Sequence, residues 1–287
     1  RSCTGAGLSI LAEGCQNLKS LNVSAAKSDM ASTAALGGLL AVRGSTLEHL
    51  SVSDSPRFKR TTILSIARAC SALTRLDVSR TDGGNSVPWI ELQQGCPLLQ
   101  ELLALDCSPT TCQTRRPAPG SVGWVDLHTL CIGVSAQVPS QLSSDLLRLI
   151  TRSATRLRVL DLSGCTRLAS DALLLIDPAA VETLMIPRTS LDLAVIAQRW
   201  GHSLQELDAS WTTGFTSEGI AAISALCSAT LKKVFLSGCP VCEEDLRTLM
   251  LSCRELTDVS VDSCRGLPIR VRQAPKTGIA ALRDALD

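Results

Sequence analysis

The chain has 287 residues, with 28 basic against 27 acidic side chains, a net charge of +1, and only 2% aromatics. Charge this balanced excludes a global pull toward nucleic acid or an anionic membrane surface. No apolar run is long enough to cross a bilayer as a helix, and the core must be filled by Leu, Val, Ile, Ala and Cys.

A three-point apolar pattern recurs along the chain. Its first position is Leu18, Leu47, Leu73, Leu99, Leu127, Leu157, Val181, Leu204, Leu231 and Leu256. Three residues on stand Leu21, Leu50, Leu76, Leu102, Leu130, Leu160, Leu184, Leu207, Val234 and Val259. Two further on stand Val23, Val52, Val78, Ala104, Ile132, Leu162, Ile186, Ala209, Leu236 and Val261. The alternation across the second and third positions, as in Leu160-Asp161-Leu162, marks a short strand with its leucines facing inward and Asp161 facing out. One such unit cannot bury its own leucines, so copies must stack into a solenoid. The expected fold is α/β: a leucine-rich repeat solenoid shaped as a right-handed horseshoe, with parallel strands on the concave face and helices on the convex face.

In chain order, residues 3–15 read as the helical half of a repeat. Its open apolar end calls for a polar or covering cap, which points to a fragment or to a cap lying before Arg1. No charged-then-apolar leader is read at Arg1. Helices are expected at 62–70 and from Trp89 after Pro88, a suitable first-turn residue. The stretch 108–123 carries three prolines and two glycines without helical periodicity, so a loop replaces the helix there, and Arg115-Arg116 alone does not decide its role. Helices follow at 142–153, 171–176, 191–200, 217–227 and 243–253. Thr216 is a candidate cap, and the acidic first turns complement the helix dipole. A last helix, 277–286, covers the final repeat, so the domains read as a solenoid over 1–264 and a C-terminal cap over 265–287.

Thirteen cysteines are present. Cys107, Cys165, Cys239 and Cys264 lie eight residues after the first leucine of their repeats, and Cys15, Cys70, Cys96 and Cys253 lie three before it. A cysteine recurring at one structural position behaves as a small buried residue with a weak S–H donor. The odd total and regular placement point to reduced thiols and a cytoplasmic or nuclear protein. Catalytic chemistry is not legible: His49, His128 and His202 fall on different repeats, and His128 with Cys131 makes no nucleophile–base arrangement. Cys239-Pro-Val-Cys242 is a lone C-x-x-C without the second pair a structural zinc needs. No catalytic residue, metal site or cofactor is assigned.

The repeat form, with Cys eight residues after the first leucine and Cys ending the helix, resembles the cysteine-containing leucine-rich repeats of the F-box/leucine-rich repeat family. Leu157-Arg-Val-Leu-Asp-Leu-Ser-Gly-Cys165 and Glu255-Leu-Thr-Asp-Val-Ser-Val-Asp-Ser-Cys264 carry the resemblance. It implies a non-catalytic substrate receptor of a Skp1–cullin–F-box ubiquitin ligase, with repeats that hold the protein substrate and an F-box, not found in this chain, that docks Skp1 and through it the cullin. An interaction scaffold or regulator without a ubiquitin role is the alternative. A receptor for an anionic small molecule is weaker, because none of the ten residues between the second and third apolar positions is basic.

Residues two, four and six after the first leucine point away from the core. Several are apolar where water alone would favour polar ones: Leu103, Cys131, Val159, Met185 and Phe235, with Trp211 at the strand exit. They alternate with Asp161, Glu206, Asp208 and Lys233. Apolar residues rimmed by charge mark a contact surface, and the expectation is a protein partner on the concave face, with no nucleic acid and no membrane. The alternative is that 108–123 or the C-terminal tail covers these residues.

Overall fold

The computed structural model describes residues 4–25, 31–56, 58–81, 87–107, 123–138, 140–176 and 180–272, together with Ile279 and Leu282. Among the described residues there are ten three-residue strands, and within each of two units they pair in parallel in chain order. The chain divides into two compact units, one comprising 1–142 with 146–157 and the other 143–145 with 158–287.

In the first unit α1 (Gly5–Gly14), α2 (Ala31–Arg43), α3 (Arg60–Ala69), α4 (Trp89–Gly95) and most of α5 (Ser144–Thr151) accompany five strands. These are β1 (Ser20–Asn22), β2 (His49–Ser51), β3 (Arg75–Asp77), β4 (Glu101–Leu103) and β5 (Thr129–Cys131). The second apolar residue of each repeat faces its counterpart, Leu21 to Leu50 to Leu76 to Leu102 to Leu130. All five are buried; Leu18, in the first repeat, is only half-buried. Helix α2 has no counterpart in the sequence reading. Gly37 and Gly38 each cost a helix interior about 1 kcal/mol, and the burial of Leu36, Leu39 and Leu40 compensates.

The second unit contains β6 (Val159–Asp161), β7 (Thr183–Met185), β8 (Glu206–Asp208), β9 (Lys233–Phe235) and β10 (Asp258–Ser260). Its helices are α6 (Leu193–Trp200), α7 (Ser217–Leu226), α8 (Glu243–Ser252) and α9 (Ile269–Arg272). Register again aligns the second apolar position, Leu160 to Leu184 to Leu207 to Val234 to Val259, all buried. Between β6 and β7 the expected helix is instead a 3₁₀ segment, Ser170–Leu175. The few residues available before the proline at 178 favour the tighter winding. Thr216 caps α7 by accepting the Gly219 N–H at 3.0 Å. Of the expected helix 277–286 only Ile279 and Leu282 are described; both are helical, and Leu282 is buried. The loop 108–123 lies outside the described residues except for Gly123.

The cysteine ladder has a specific bonding role. In the first unit the Cys107 thiol donates to the Val78 carbonyl at 3.2 Å, and in the second Cys239 donates to Ala209 at 3.2 Å and Cys264 to Leu236 at 3.1 Å. In each case the acceptor is the third apolar residue of the preceding repeat. The other cysteine column closes helices: the N–H groups of Cys70 and Cys96 bond Ile66 and Leu92, and that of Cys253 bonds Leu249. A thiol fits both places because it is small, mostly apolar and still a donor. The eleven described cysteines carry free thiols.

Strand exits share a second backbone device. Four residues after the second apolar position the backbone takes positive φ at Ala25, Asp54, Arg80 and Asp106 in the first unit, and at Gly164, Arg188, Trp211, Gly238 and Ser263 in the second. Except at Ser263, in the last strand's exit, the N–H of these residues still bonds the next repeat, as in Asp54 to Ser79 and Trp211 to Ser237. The left-handed turn thus lets the chain leave the strand while the hydrogen-bond ladder runs one rung further. For non-glycine residues this conformation costs about 1–2 kcal/mol, and the retained backbone bond offsets part of it.

Candidate protein-binding surface

On the strand face of the second unit, the residues between the second and third apolar positions lie in register. Asp161 faces Met185, Met185 faces Asp208, Asp208 faces Phe235, and Phe235 faces Ser260. A parallel row two residues earlier holds Val159, Thr183, Glu206, Lys233 and Asp258. Neighbours in a row are separated by about 4.8 Å, the spacing of paired strands. Val159, Met185, Glu206, Asp208 and Phe235 are half-buried, and Lys233 is exposed. The Lys233 Nζ reaches Glu206 at 3.4 Å.

The carboxylates in the first row do structural work that the sequence reading did not anticipate. Asp161 Oδ1 accepts the Ser163 N–H at 2.8 Å, and Asp208 Oδ1 accepts the Ser210 N–H at 2.9 Å. In the first unit Asn22 and Asp77 do the same for Ser24 and Ser79. An Asp or Asn here secures the end of its own strand in a local turn. Asp161 points outward from the strand as expected, yet it is only 7% exposed. Burial raises its pKa, against the opposing pull of the Ser163 hydrogen bonds. It therefore offers this face little contact area.

Trp211 is 54% exposed, whereas Trp89, Trp124 and Trp200 are all buried. Its backbone has φ of 59° and its N–H bonds the Ser237 carbonyl at 2.7 Å. The indole covers Gly238: a Cβ added there would lie 2.3 Å from Trp211 Cδ2 and 2.6 Å from Cε2. Gly238 is required twice over, by its φ of 73° and by the ring resting on it. The result is a surface aromatic held in place without a polar anchor.

The first unit holds the remaining two predicted residues, Leu103 and Cys131, which face each other on β4 and β5. Leu103 is half-buried, but Cys131 is 7% exposed and offers almost no surface. Elsewhere on this strand face Arg75 pairs with Glu101 at 3.0 Å, and β1 to β3 carry a hydroxyl network. Ser51 Oγ lies 2.6 Å from Ser24 Oγ and donates to Asp77 at 3.2 Å, and Ser53 donates to Ser24 at 2.9 Å. The signal for it was in the sequence, as serines at positions 24, 53 and 79 in one column.

His128 Nδ1 lies 3.1 Å from the Thr129 hydroxyl, its neighbour in sequence. Burial pushes the Cys239 thiol up to about 11, which keeps it protonated. Cys242 instead is exposed and caps α8: its sulfur accepts the Asp245 N–H at 3.5 Å, while Asp245 accepts the Cys242 N–H at 2.9 Å. Among the described residues, no group of three or more His, Cys, Asp or Glu side chains is placed to hold a metal ion. No helix among them is long and apolar enough to cross a membrane.

Parallel three-residue strands in leucine register, joined by helices and knitted by cysteine thiols, define a leucine-rich repeat fold. No family model matches the sequence, and no curated protein does. Among solved structures, the chain is similar to a chain in the crystal structure of the Rad7 and Elc1 complex in yeast, with a TM-score of 0.60 and 19% identity, over 92% of this chain and 61% of that one. A leucine-rich repeat-containing protein, LegL7 from Legionella pneumophila, aligns over 97% of this chain and 83% of its own, at 17% identity and a TM-score of 0.46. At 19% identity the likeness to the yeast chain shows the fold alone. The chain spans 61% of the length of the Rad7–Elc1 chain it matches.

Proposed function

We propose that this chain is a non-catalytic protein-interaction module whose strand face in the second unit holds a protein partner, and that it serves as the substrate-recognising part of a Skp1–cullin–F-box ubiquitin ligase in the cytoplasm or nucleus. The observation that carries the interaction reading is the row Met185, Asp208, Phe235 with Trp211 beside it, where apolar side chains keep exposed surface among charged neighbours. A buried aromatic anchor ringed by polar groups is the usual energetic centre of a protein interface. The ubiquitin part rests on the cysteine-containing repeat form and on the segment Asp262-Ser-Cys-Arg-Gly-Leu-Pro268, which resembles that of F-box and leucine-rich repeat protein six. The similarity to a chain from the Rad7–Elc1 complex, itself a protein assembly, is compatible with this reading.

The test uses the protein expressed from its complete coding sequence. Affinity purification from cells should recover Skp1 and a cullin together with a substrate that accumulates when cullin activity is blocked. Phe235→Ala should lose the substrate and keep Skp1. Recovery of the substrate without Skp1 or cullin would favour a scaffold outside the ubiquitin system. Unchanged capture by a folded Phe235→Ala protein would remove the interaction surface from this face.

A further inference from the structure

The strand face of the second unit is acidic as well as apolar. Its two rows carry the carboxylates of Asp161, Glu206, Asp208 and Asp258 against the cation Lys233, with Arg188 at the exit of β7 beside them. Lys233 is engaged by Glu206 at 3.4 Å. Arg188 lies near enough to Asp161 to favour its ionised form. Asp258 accepts the Thr257 hydroxyl at 2.8 Å. Asp208 keeps one carboxylate oxygen open: Oδ1 receives the Ser210 N–H, and Oδ2 has no hydrogen bond among the described residues, as at Asp161, whose two bonds also fall on Oδ1. In register it stands between Met185 on one side and Phe235 on the other.

A half-buried carboxylate between a thioether and an aromatic ring fits one type of side chain. Lys and Arg carry an apolar stem that lies along such surfaces and a charged head that seeks the carboxylate. Arg adds planar stacking on an aromatic face and paired hydrogen bonds to a carboxylate. Resting on the interaction reading above, we infer that this face recognises a partner-protein segment presenting an arginine or lysine flanked by apolar residues, with the cation on Asp208 and the flanking groups on Met185, Phe235 and Trp211. Lys233 is paired with Glu206 at 3.4 Å, and the charges that remain on this face are the carboxylates of Asp161, Asp208 and Asp258 against Arg188, so a cationic segment is favoured over an acidic one. Nucleic acid, another polyanion, is repelled by the same surplus.

The test uses the whole chain and three pools of fluorescein-labelled octapeptides, degenerate except for a fixed central residue: Arg, Gln or Glu. Capture of the Arg pool should exceed that of the Gln pool by about tenfold at low salt, the scale of one charge-assisted contact, with the Glu pool lowest. Asp208→Asn should erase the Arg preference without loss of fold. An Asn carbonyl still accepts the N–H two residues on, as Asn22 does for Ser24 at 2.9 Å. Equal capture of the three pools, capture of none, or an Arg preference that survives Asp208→Asn each overturns the inference. Failure of the underlying reading looks different: the cellular partner then survives Phe235→Ala. A partner lost with Phe235→Ala but retained by Asp208→Asn leaves the surface standing and removes only the cationic occupant.

Discussion

Gly238→Ala should destabilise the second unit through two separable effects, and Trp211 separates them. The first effect is conformational: an alanine at φ of 73° costs about 1–2 kcal/mol. The smaller end is expected here, because the same register accepts Arg188 at φ 56° and Ser263 at φ 60°. The second effect is steric. The new Cβ falls 2.3 Å from Trp211 Cδ2, inside van der Waals contact, so the indole must lift off and surrender its packing for about another 1 kcal/mol. Urea unfolding followed by circular dichroism should show a loss of about 2–3 kcal/mol in the wild-type background. In a Trp211→Ala background the loss should fall to about 1 kcal/mol, the difference being the coupling between the two positions. Acrylamide quenching supplies an independent reading, because the other three tryptophans are buried: displaced by the added methyl group, Trp211 should become more accessible. Identical costs in the two backgrounds would show that the indole does not rest on Gly238.

Leu160 is completely buried, and Leu160→Ala should cost about 2–5 kcal/mol by leaving a cavity in a close-packed ladder; an unaltered melting curve would mean that the repeat register is wrong. The thiol ladder predicts a pH effect with a definite sign. Burial raises Cys70, Cys96 and Cys227 from 9.0 to about 12, and Cys107, Cys239 and Cys253 to about 11. A raised folded pKa favours the protonated, folded form, so this stability is complete below about pH 9 and is lost as pH climbs from there toward 12. The urea midpoint should therefore fall between pH 8 and pH 10, and an equal midpoint at both would refute the buried-thiol account.

The solenoid core was legible because it rests on spacing. Leucines at one register must meet their counterparts whenever units stack, and Leu76 facing both Leu50 and Leu102 is that requirement realised. Helix α2 escaped notice because local propensity at Gly37 and Gly38 argues against it, and only burial of the surrounding leucines argues for it. The dual role of Asp161 and Asp208 was harder to see. Alternation predicts which way a side chain leaves the strand but not whether its carboxylate then turns back to its own backbone. Neither could the pairing of Trp211 with Gly238 be read from either residue alone. Its trace is columnar: Gly164, Trp211 and Gly238 occupy one register position, where positive φ admits glycine freely and a large ring needs a bare neighbour.

Division of labour among the registers explains how one architecture carries both stability and recognition. The apolar positions and the ladder cysteines Cys107, Cys239 and Cys264 face inward, and their burial and carbonyl-directed thiols hold successive repeats together. Outward positions are therefore free to differ. In the first unit they satisfy one another: Ser24, Ser51, Ser53 and Asp77 form a closed set of hydroxyl and carboxylate bonds, and a surface already bonded to itself has little to offer a partner. In the second unit the corresponding column runs Asp161, Met185, Asp208, Phe235, where the thioether and the ring can make no such bonds and the carboxylates use only part of their capacity on their own backbone. Unspent hydrogen-bonding capacity beside exposed apolar surface is what a binding site has and a merely solvated face lacks. Because the Asx turn needs only a carbonyl oxygen, the negative charge on Asp208 is not explained by folding. Asn22 performs the same turn without it, and under the proposal above the charge serves to attract a cationic side chain.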